Sequence, residues 1–302
     1  MSSTRPIAVF GATGAQGSAV VDAFLQAGRP VRAIARTPEK LASFAARGIE
    51  TFAADVGDTE SMTRALEGVD GAFVHLPLAS GLYGAAVEAA GRNVARALSA
   101  AGVPLTIYTT SGPVSRTPGV SPHSDGAAAA ERAVLDCGVP VVSLRPAGYL
   151  GNLSAPFSAP AVLAGELAYP LPAGFRHRWV SAQDQAALVV AALERPELAG
   201  RSFAIGHRLD GGELAAAVGR GLDRDVRYRG LTPAEFADAL RPALGAAAEA
   251  IAHGYHVIVA SAEELGIGDD AGEANRVLGV PLTPVEEWAR AETWHAPAAT
   301  AG

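Results

Sequence analysis

The chain has 302 residues, 49% of them hydrophobic, with a formal net charge of −7 at pH 7 and one cysteine, Cys137. That length can bury a large core, as one big domain or one and a half, while the acidic balance excludes a broad nucleic-acid surface, which needs clustered Lys and Arg. A lone cysteine excludes an internal disulfide, no signal peptide is read at the N-terminus, and the apolar run 186–193 is too short to span a bilayer, so a cytoplasmic protein is expected.

Ile7-Ala8-Val9-Phe10 predicts a strand, and it runs directly into Gly11-Ala12-Thr13-Gly14-Ala15-Gln16-Gly17. Residues 18–27 then predict an amphipathic helix. A strand that breaks at glycines and restarts as a helix aims unpaired backbone N–H groups and the positive helix end at one point, which suits a dinucleotide pyrophosphate. The glycines are spaced G-x-x-G-x-x-G instead of G-x-G-x-x-G. Each can still serve a tight turn, a close approach to phosphate, or helix-to-sheet contact. Gly28-Arg29-Pro30 turns the chain into a second strand, 31–35, which ends at Arg36. An NAD-selective fold carries Asp or Glu about 20 residues past the glycines, to hold the ribose 2′-hydroxyl. Here Arg36 stands at that place, with Lys40 one turn later. Two cations suit a 2′-phosphate, so NADP(H) is the expected cofactor.

Thr37-Pro38 starts a helix with a cap residue and a first-turn proline, and Gly48 ends it. Residues 49–54 predict a third strand, ending in Asp55-Val56. A helix follows from Asp58 or Thr59 to Gly68, with Met62, Ala65 and Leu66 on its inner face. A fourth strand (71–76), a long alanine-rich helix (83–101) and a fifth strand (105–109) come next, the last running into Thr110-Ser111-Gly112. A helix over 127–136 and a sixth strand over 139–144 complete the alternation. Such a beat is the signature of an α/β, Rossmann-type doubly wound parallel sheet. Residues 146–172 are rich in Pro, Gly, Ser and Ala and read as an excursion from the sheet. Trp179 to Asp184 is expected to open a helix reaching Glu194, followed by a strand at 202–205. Helical segments around 214–219, 233–240 and 284–291, with a short strand at 226–229, predict a smaller, mostly helical C-terminal lobe over the carboxyl edge of the sheet. The expected division is a nucleotide-binding domain of 1–152 and about 176–206, a substrate-binding lobe of about 153–175 and 207–295, and a flexible tail, 296–302.

Several runs carry a resemblance to a known family. Gly11-Ala12-Thr13-Gly14, Arg36-Thr37-Pro38-Glu39-Lys40 and Leu144-Arg145-Pro146-Ala147-Gly148-Tyr149-Leu150-Gly151-Asn152 resemble the NmrA-like group of atypical short-chain dehydrogenases. So do Trp179-Val180-Ser181 with Asp184, and Leu278-Gly279 followed by Thr283; the resemblance spans roughly residues 6–292. That group includes NADPH-dependent quinone reductases, aromatic ether and isoflavone-type reductases, and redox-sensing regulators that bind NADP. The resemblance implies that Gly11, Thr13, Gly14, Ala15, Gln16 and Gly17 cradle pyrophosphate, that Arg36 and Lys40 face the 2′-phosphate, and that Asp55 and Val56 flank the adenine. It also implies that His75-Leu76-Pro77 and Thr109-Thr110-Ser111 line the nicotinamide side.

Carbonyl-reducing short-chain dehydrogenases use Tyr-x-x-x-Lys, the Lys lowering the Tyr pKa so that the phenol can hand over a proton. Counted back from Glu131 and Gly138, the Lys position falls near Ala127 and the Tyr position near His123, so neither residue is present. Hydride transfer can survive that loss where the acceptor is easily reduced. A ketone becomes a strongly basic alkoxide, whereas a quinone becomes a delocalised phenolate that a weak donor can protonate. Ser111, His123 (expected in a loop, Pro122-His123-Ser124) and Tyr149 are the candidate catalytic or pocket residues. Tyr149 borders the pocket or packs; Arg145 anchors a loop or carboxylate, or forms an internal salt bridge; Asn152 is expected to fix a turn. His253-x-x-His256 lacks a third ligand, and no metal is expected. Two functions lead, with an isomerase or a pathway-specific reductase as the remaining alternative: an NADPH-dependent oxidoreductase acting on a quinone or similarly electrophilic small molecule, and a non-catalytic NADP-binding sensor acting through a protein partner. Neither needs a membrane, and a homodimer is compatible with either.

Overall fold

Four apolar residues in a row form β1 (Ile7–Phe10), which is buried along its whole length, as a strand covered on both faces must be. The computed structural model describes residues 4–76 and 83–295. After β1 come α1 (Ala15–Gln26), β2 (Val31–Ala35), a 3-10 turn (Pro38–Leu41), α2 (Ala42–Ala46), β3 (Glu50–Ala53), α3 (Thr59–Leu66), β4 (Gly71–His75), α4 (Ala85–Ala101), β5 (Thr106–Thr109), α5 (Pro122–Leu135) and β6 (Val141–Arg145). The chain continues through β7 (Gly148–Tyr149), α6 (Gly151–Ser154), α7 (Ala159–Leu163), β8 (Glu166–Tyr169), β9 (His177–Val180), α8 (Ala182–Leu193) and β10 (Ser202–Ala204). It ends with β11 (His207–Leu209), α9 (Gly211–Leu222), β12 (Arg227–Gly230), α10 (Pro233–Leu244), α11 (Ala247–Ala260), α12 (Gly272–Leu278) and α13 (Val285–Ala291). Two compact units result: Met1–Pro146 with Ala182–Ile205 and Asp270–Pro281, and Ala147–Ser181 with Gly206–Asp269 and Leu282–Gly302.

The first unit holds a seven-stranded sheet in the order β10-β6-β5-β4-β1-β2-β3, with every neighbouring pair parallel. From β1 the chain steps outward to β2 and β3, then returns to lay β4 on the opposite flank of β1. The strand order therefore reverses between β1 and β4, and ligands of open α/β sheets bind at the carboxyl ends of strands at such a switch point. Helices α3, α4 and α5 pack side by side, as do α1, α8 and α12. The α3–α4–α5 core includes Phe10, Ile34, Met62, Leu66, Val94, Leu98 and Tyr108. Burying a Leu, Ile or Phe side chain contributes roughly 1.5–3 kcal/mol each, so this layer fixes the strand ends firmly. Gly91 lets α4 and α5 close on each other, because a Cβ there would overlap Ala130.

The second unit carries a three-stranded sheet, β11-β9-β7, and a two-stranded parallel sheet, β12-β8. Its core is built on Leu150, Tyr169, Trp179, Leu214, Val218 and Trp288. Both α9 and α10 open with capping boxes, Asp210 with Glu213 and Thr232 with Glu235. Buried Arg178 donates to the carbonyls of Gly266 (2.6 Å) and Ile267 (2.9 Å). Among the described residues no helix is long and apolar enough to cross a membrane.

Several boundaries differ from the sequence-based expectation, three of them at α5, β9 and α4. Helix α5 starts at Pro122 instead of 127, because Ser121 accepts from the Ser124 N–H at 3.1 Å and Pro122 occupies the first helical position. His123 is consequently helical and does not lie in a loop. Trp179 and Val180 do not open a helix; they belong to the fully buried β9, and α8 begins at Ala182. The helix expected from 83 begins at Ala85. The tail 296–302 lies outside the described residues.

Candidate functional site

Gly11, directly after β1, adopts φ +68°, a conformation that L side chains rarely reach. Its carbonyl accepts from the Gly14 N–H at 2.9 Å, closing a tight turn, while the Ala12 N–H donates to Ile34 O at 3.1 Å and ties the turn to β2. A Cβ on Gly17 would overlap the Gly11 carbonyl oxygen, so only glycine lets the first turn of α1 close on the loop. The N-cap of α1 is Gly14, which has no side chain to offer, and the first turn holds no acid. Asp58, Ser121, Asp210 and Thr232 cap α3, α5, α9 and α10 with side-chain oxygens, whereas α1, like α2, α4, α6, α7, α11, α12 and α13, has no such cap. Helix α1 thus keeps orphan N–H donors and the positive end of its dipole together. Thr13, Gly14 and Ala15 are exposed and Gln16 half-buried, leaving the loop open to an anion.

Arg36 and Lys40 are exposed at the end of β2 and in the following 3-10 turn. Among the described residues neither side chain has a hydrogen-bond or ion-pair partner, and Lys40 is the only lysine in the sequence. Arg32, on the same strand, is by contrast engaged with Glu50 and with the Ala65 and Glu67 carbonyls, each at 2.8 Å. Asp55, past β3, accepts from the Gly57 N–H at 2.7 Å, and its own N–H donates to Ser61 Oγ at 3.2 Å. The Val56 carbonyl accepts from Asn93 Nδ2 at 3.1 Å, which ties this turn to α4.

His75 ends β4 in register with Thr109 of β5. It is buried, with Nδ1 3.0 Å from Thr109 Oγ1. Burial pulls its pKa down to about 4, against the opposing Thr109 backbone hydrogen bond, so the ring is neutral at neutral pH. Leu76 is buried in the core. Thr110 is buried and donates its N–H to Leu144 O at 3.2 Å, while its hydroxyl has no partner among the described residues. Ser111 is half-buried. Pro77 lies outside the described residues. The structure therefore brings Ser111, Thr110, His75, Leu76, the 11–17 loop, Arg36, Lys40, Asp55 and Val56 along one edge of the sheet, in the strand order β5-β4-β1-β2-β3.

His123, in the first turn of α5, stacks on Tyr83 with ring centroids 5.2 Å apart and planes 18° from parallel. Burial lowers its pKa, which keeps the imidazole neutral at neutral pH. Tyr83 escaped sequence reasoning; its one signal was position, an aromatic just ahead of the glycine that starts α4. Tyr149 belongs to the second unit, on β7, where burial pushes its phenol above the ordinary tyrosine range. Arg145 makes a bidentate pair with buried Glu131 (Nε to Oε1 and Nη2 to Oε2, both 2.8 Å), and Glu131 also accepts from Ser143 and Ser202. Arg145 thus forms the internal salt bridge. Asn152 donates to Tyr169 Oη at 3.3 Å inside the second unit. His253 and His256 are exposed on α11 with ring centroids 6.0 Å apart; among the described residues no three His, Cys, Asp or Glu side chains are placed to hold a metal. A groove of about 810 Å³ in the second unit, lined by Ala173, Ala215, Arg220, Asp223, Arg227 and Tyr228, contains none of the candidate residues.

The model of the NmrA-like family matches residues 3–289. The chain is 31% identical over 234 residues to an NAD(P)H azoreductase of Xenophilus azovorans, covering 75% of this chain and 77% of that relative. It is 28% identical over 288 residues to quinone oxidoreductase 2 of Escherichia coli, covering 93% and 96%. Among solved structures, an NADPH-dependent quinone oxidoreductase of Escherichia coli complexed with NADPH aligns with a TM-score of 0.70 at 26% identity, over 94% of this chain and 98% of that one. With the family model spanning almost its whole length and the azoreductase aligned over three quarters of it, the chain belongs to the NmrA-like family.

Proposed function

We propose that this protein is an NADPH-dependent oxidoreductase that delivers hydride to a quinone or a comparably electrophilic small molecule. One observation carries the reading: helix α1 starts without a side-chain cap on a tight glycine loop, and the end of the next strand and the turn after it carry two cations with no partner among the described residues. The first suits a pyrophosphate and the second a 2′-phosphate. The relatives, an NAD(P)H azoreductase and a quinone oxidoreductase, support the same class of reaction.

In this reading Gly11, Thr13, Gly14, Ala15, Gln16 and Gly17 hold the pyrophosphate through main-chain N–H groups. Arg36 and Lys40 hold the 2′-phosphate, Asp55 and Val56 flank the adenine, and His75, Leu76, Pro77 and Thr110 line the nicotinamide side. When bound, NADPH supplies the hydride. The protein's own candidate donors, the Ser111 hydroxyl and the Tyr149 phenol, whose pKa burial raises, are weak acids at neutral pH, and the His123 ring, neutral there, has both nitrogens shielded. Its single lysine is at position 40, so no Tyr-x-x-x-Lys pair exists in this sequence. Weak donors match an acceptor whose reduced form is itself weakly basic, with positioning supplying much of the rate. The second unit, which includes Tyr149, is the candidate substrate-binding lobe.

Steady-state oxidation of NADPH against a panel of quinones, azo dyes and aliphatic ketones tests this. Turnover of quinones without turnover of ketones is expected. Tight NADPH binding with no turnover of any acceptor above buffer would overturn the reading in favour of an NADP-binding sensor.

A further inference from the structure

Two rings at the heads of α4 and α5 form a feature that nucleotide binding does not use. In a parallel doubly wound sheet each helix head emerges at the carboxyl edge of the preceding strand. Tyr83, ahead of α4, and His123, in the first turn of α5, therefore stand at the edge that carries His75 and Thr109. Their rings are stacked, 5.2 Å between centroids and 18° from parallel.

The backbone fixes this pair. Gly84 adopts φ +55° and ψ −124°, which suits glycine alone, and a Cβ on Gly126 would overlap the Gly84 carbonyl oxygen, so the two helix heads touch main chain to main chain. A Cβ built on Gly84 would also lie 3.6 Å from Pro122 Cβ, which places the residues following Pro122 and preceding Gly84 side by side. The head of α5 is tied to the loop before it: Ser115 Oγ donates to Ser124 Oγ at 2.8 Å, and the Gly119 N–H donates to Asp125 Oδ2 at 2.8 Å. A surface held this way loses little entropy when a ligand arrives.

The two rings present different things. Both nitrogens of His123 are shielded and without a hydrogen-bond partner among the described residues, so this imidazole offers a face and no donor. Tyr83 is 42% exposed, the more exposed of two large apolar side chains on the described surface. A tyrosine backed by one fixed ring and open to solvent elsewhere is a platform for a third ring, since aromatic groups stack favourably at this spacing.

We propose that the Tyr83–His123 pair is the stacking platform for the substrate ring and restricts the acceptor to planar conjugated electrophiles, bicyclic quinones above all. The proposal rests on the reductase reading, and its test separates the two. The probe is 1,4-naphthoquinone, its binding followed by saturation-transfer NMR without NADPH and its KM by steady-state kinetics with NADPH. Variants are Tyr83→Phe, Tyr83→Ala and His123→Ala, with NADPH affinity measured for each. Tyr83→Phe should bind naphthoquinone within about twofold of wild type, while Tyr83→Ala should lose roughly three- to tenfold in binding and in KM, a stacking-sized effect. His123→Ala, which removes the backing ring, should lose about half as much on a logarithmic scale, and NADPH affinity should stay within about twofold throughout. Naphthoquinone binding and KM unchanged in Tyr83→Ala would overturn the platform while leaving the reductase reading intact. Tyr83-dependent binding with no turnover would support the platform and defeat the reductase reading.

Discussion

Replacing Arg36 by Asp should reverse the protein's preference between phosphorylated and plain nicotinamide nucleotides. Arg36 is exposed and has no partner among the described residues, so the change should cost the fold no more than about 0.5 kcal/mol, as ordinary surface substitutions do. Its effect on NADPH is larger. A hydrogen bond to a charged group contributes roughly 1.5–3 kcal/mol net. Repulsion between the new carboxylate and the phosphate adds about 1 kcal/mol at a solvated separation near 4 Å. Lys40 remains and offsets part of the loss. A net of about 2–4 kcal/mol corresponds to roughly 30- to 700-fold weaker NADPH binding. NADH has nothing to lose at this position, so its Kd should change less than about threefold. Titrations followed by nicotinamide fluorescence, with melting curves as the control for folding, measure both. Salt gives a second handle: added electrolyte should shrink the wild-type preference for NADPH and ease the repulsion in the variant. Equal losses for NADPH and NADH, or none for either, would refute the assignment of Arg36 to the 2′-phosphate.

Three further outcomes follow from the geometry. Gly17→Ala forces a Cβ into the Gly11 carbonyl oxygen; a stability loss of about 1–3 kcal/mol is expected from overpacking, with NADPH affinity falling at least tenfold, and an unchanged affinity in calorimetry would argue against the loop as the phosphate cradle. Glu131→Ala strands Arg145, which is one-third exposed, so the loss in urea denaturation should be roughly 2–3 kcal/mol, below the ~3–5 of a fully buried pair. His75 has its folded pKa depressed below the unfolded value, so its contribution is complete above the unfolded pKa and is lost as pH falls from about 6.5 toward about 4. Between pH 7 and pH 5 that loss is about 2 kcal/mol. Buried His177, pulled to about 3 chiefly by burial and also by Arg178, adds a loss of the same sign. Urea midpoints measured across this range should fall for the wild type and fall less for His75→Asn; parallel curves would contradict the role given to His75.

The first five strands were readable because a glycine or proline follows each and a helical period comes next, and the sixth because Pro146 closes it. The glycine loop after β1 was legible for the same reason, down to Gly17, whose missing side chain is a packing requirement. What escaped has physical causes. The head of α5 carries the same cap-plus-proline signal as Thr37-Pro38, in Ser121-Pro122, ahead of the alanine run 127–130 from which the helix was read. Strand β9 looked like a helix start because its residues, His177–Val180, are buried on both faces and show no alternation. Helix α11 does carry a sparse polar stripe, Glu249, His253 and His256 at i, i+4 and i+7, but three polar residues in an otherwise apolar or small run mark a helical period only weakly. The pairing of Arg145 with Glu131 and the stacking of Tyr83 on His123 join residues 14 and 40 positions apart, and periodicity within one element says nothing of such contacts.

Lys40 offers the most direct test of where the nucleotide sits, because an amine-directed acylating reagent finds no other lysine side chain in this sequence. Its acylation rate, read by mass spectrometry of the Lys40 peptide, should fall at least tenfold under saturating NADPH and hardly at all under NADH. An undiminished rate with NADPH in excess would contradict a 2′-phosphate at the end of β2, and with it the proposed NADPH site.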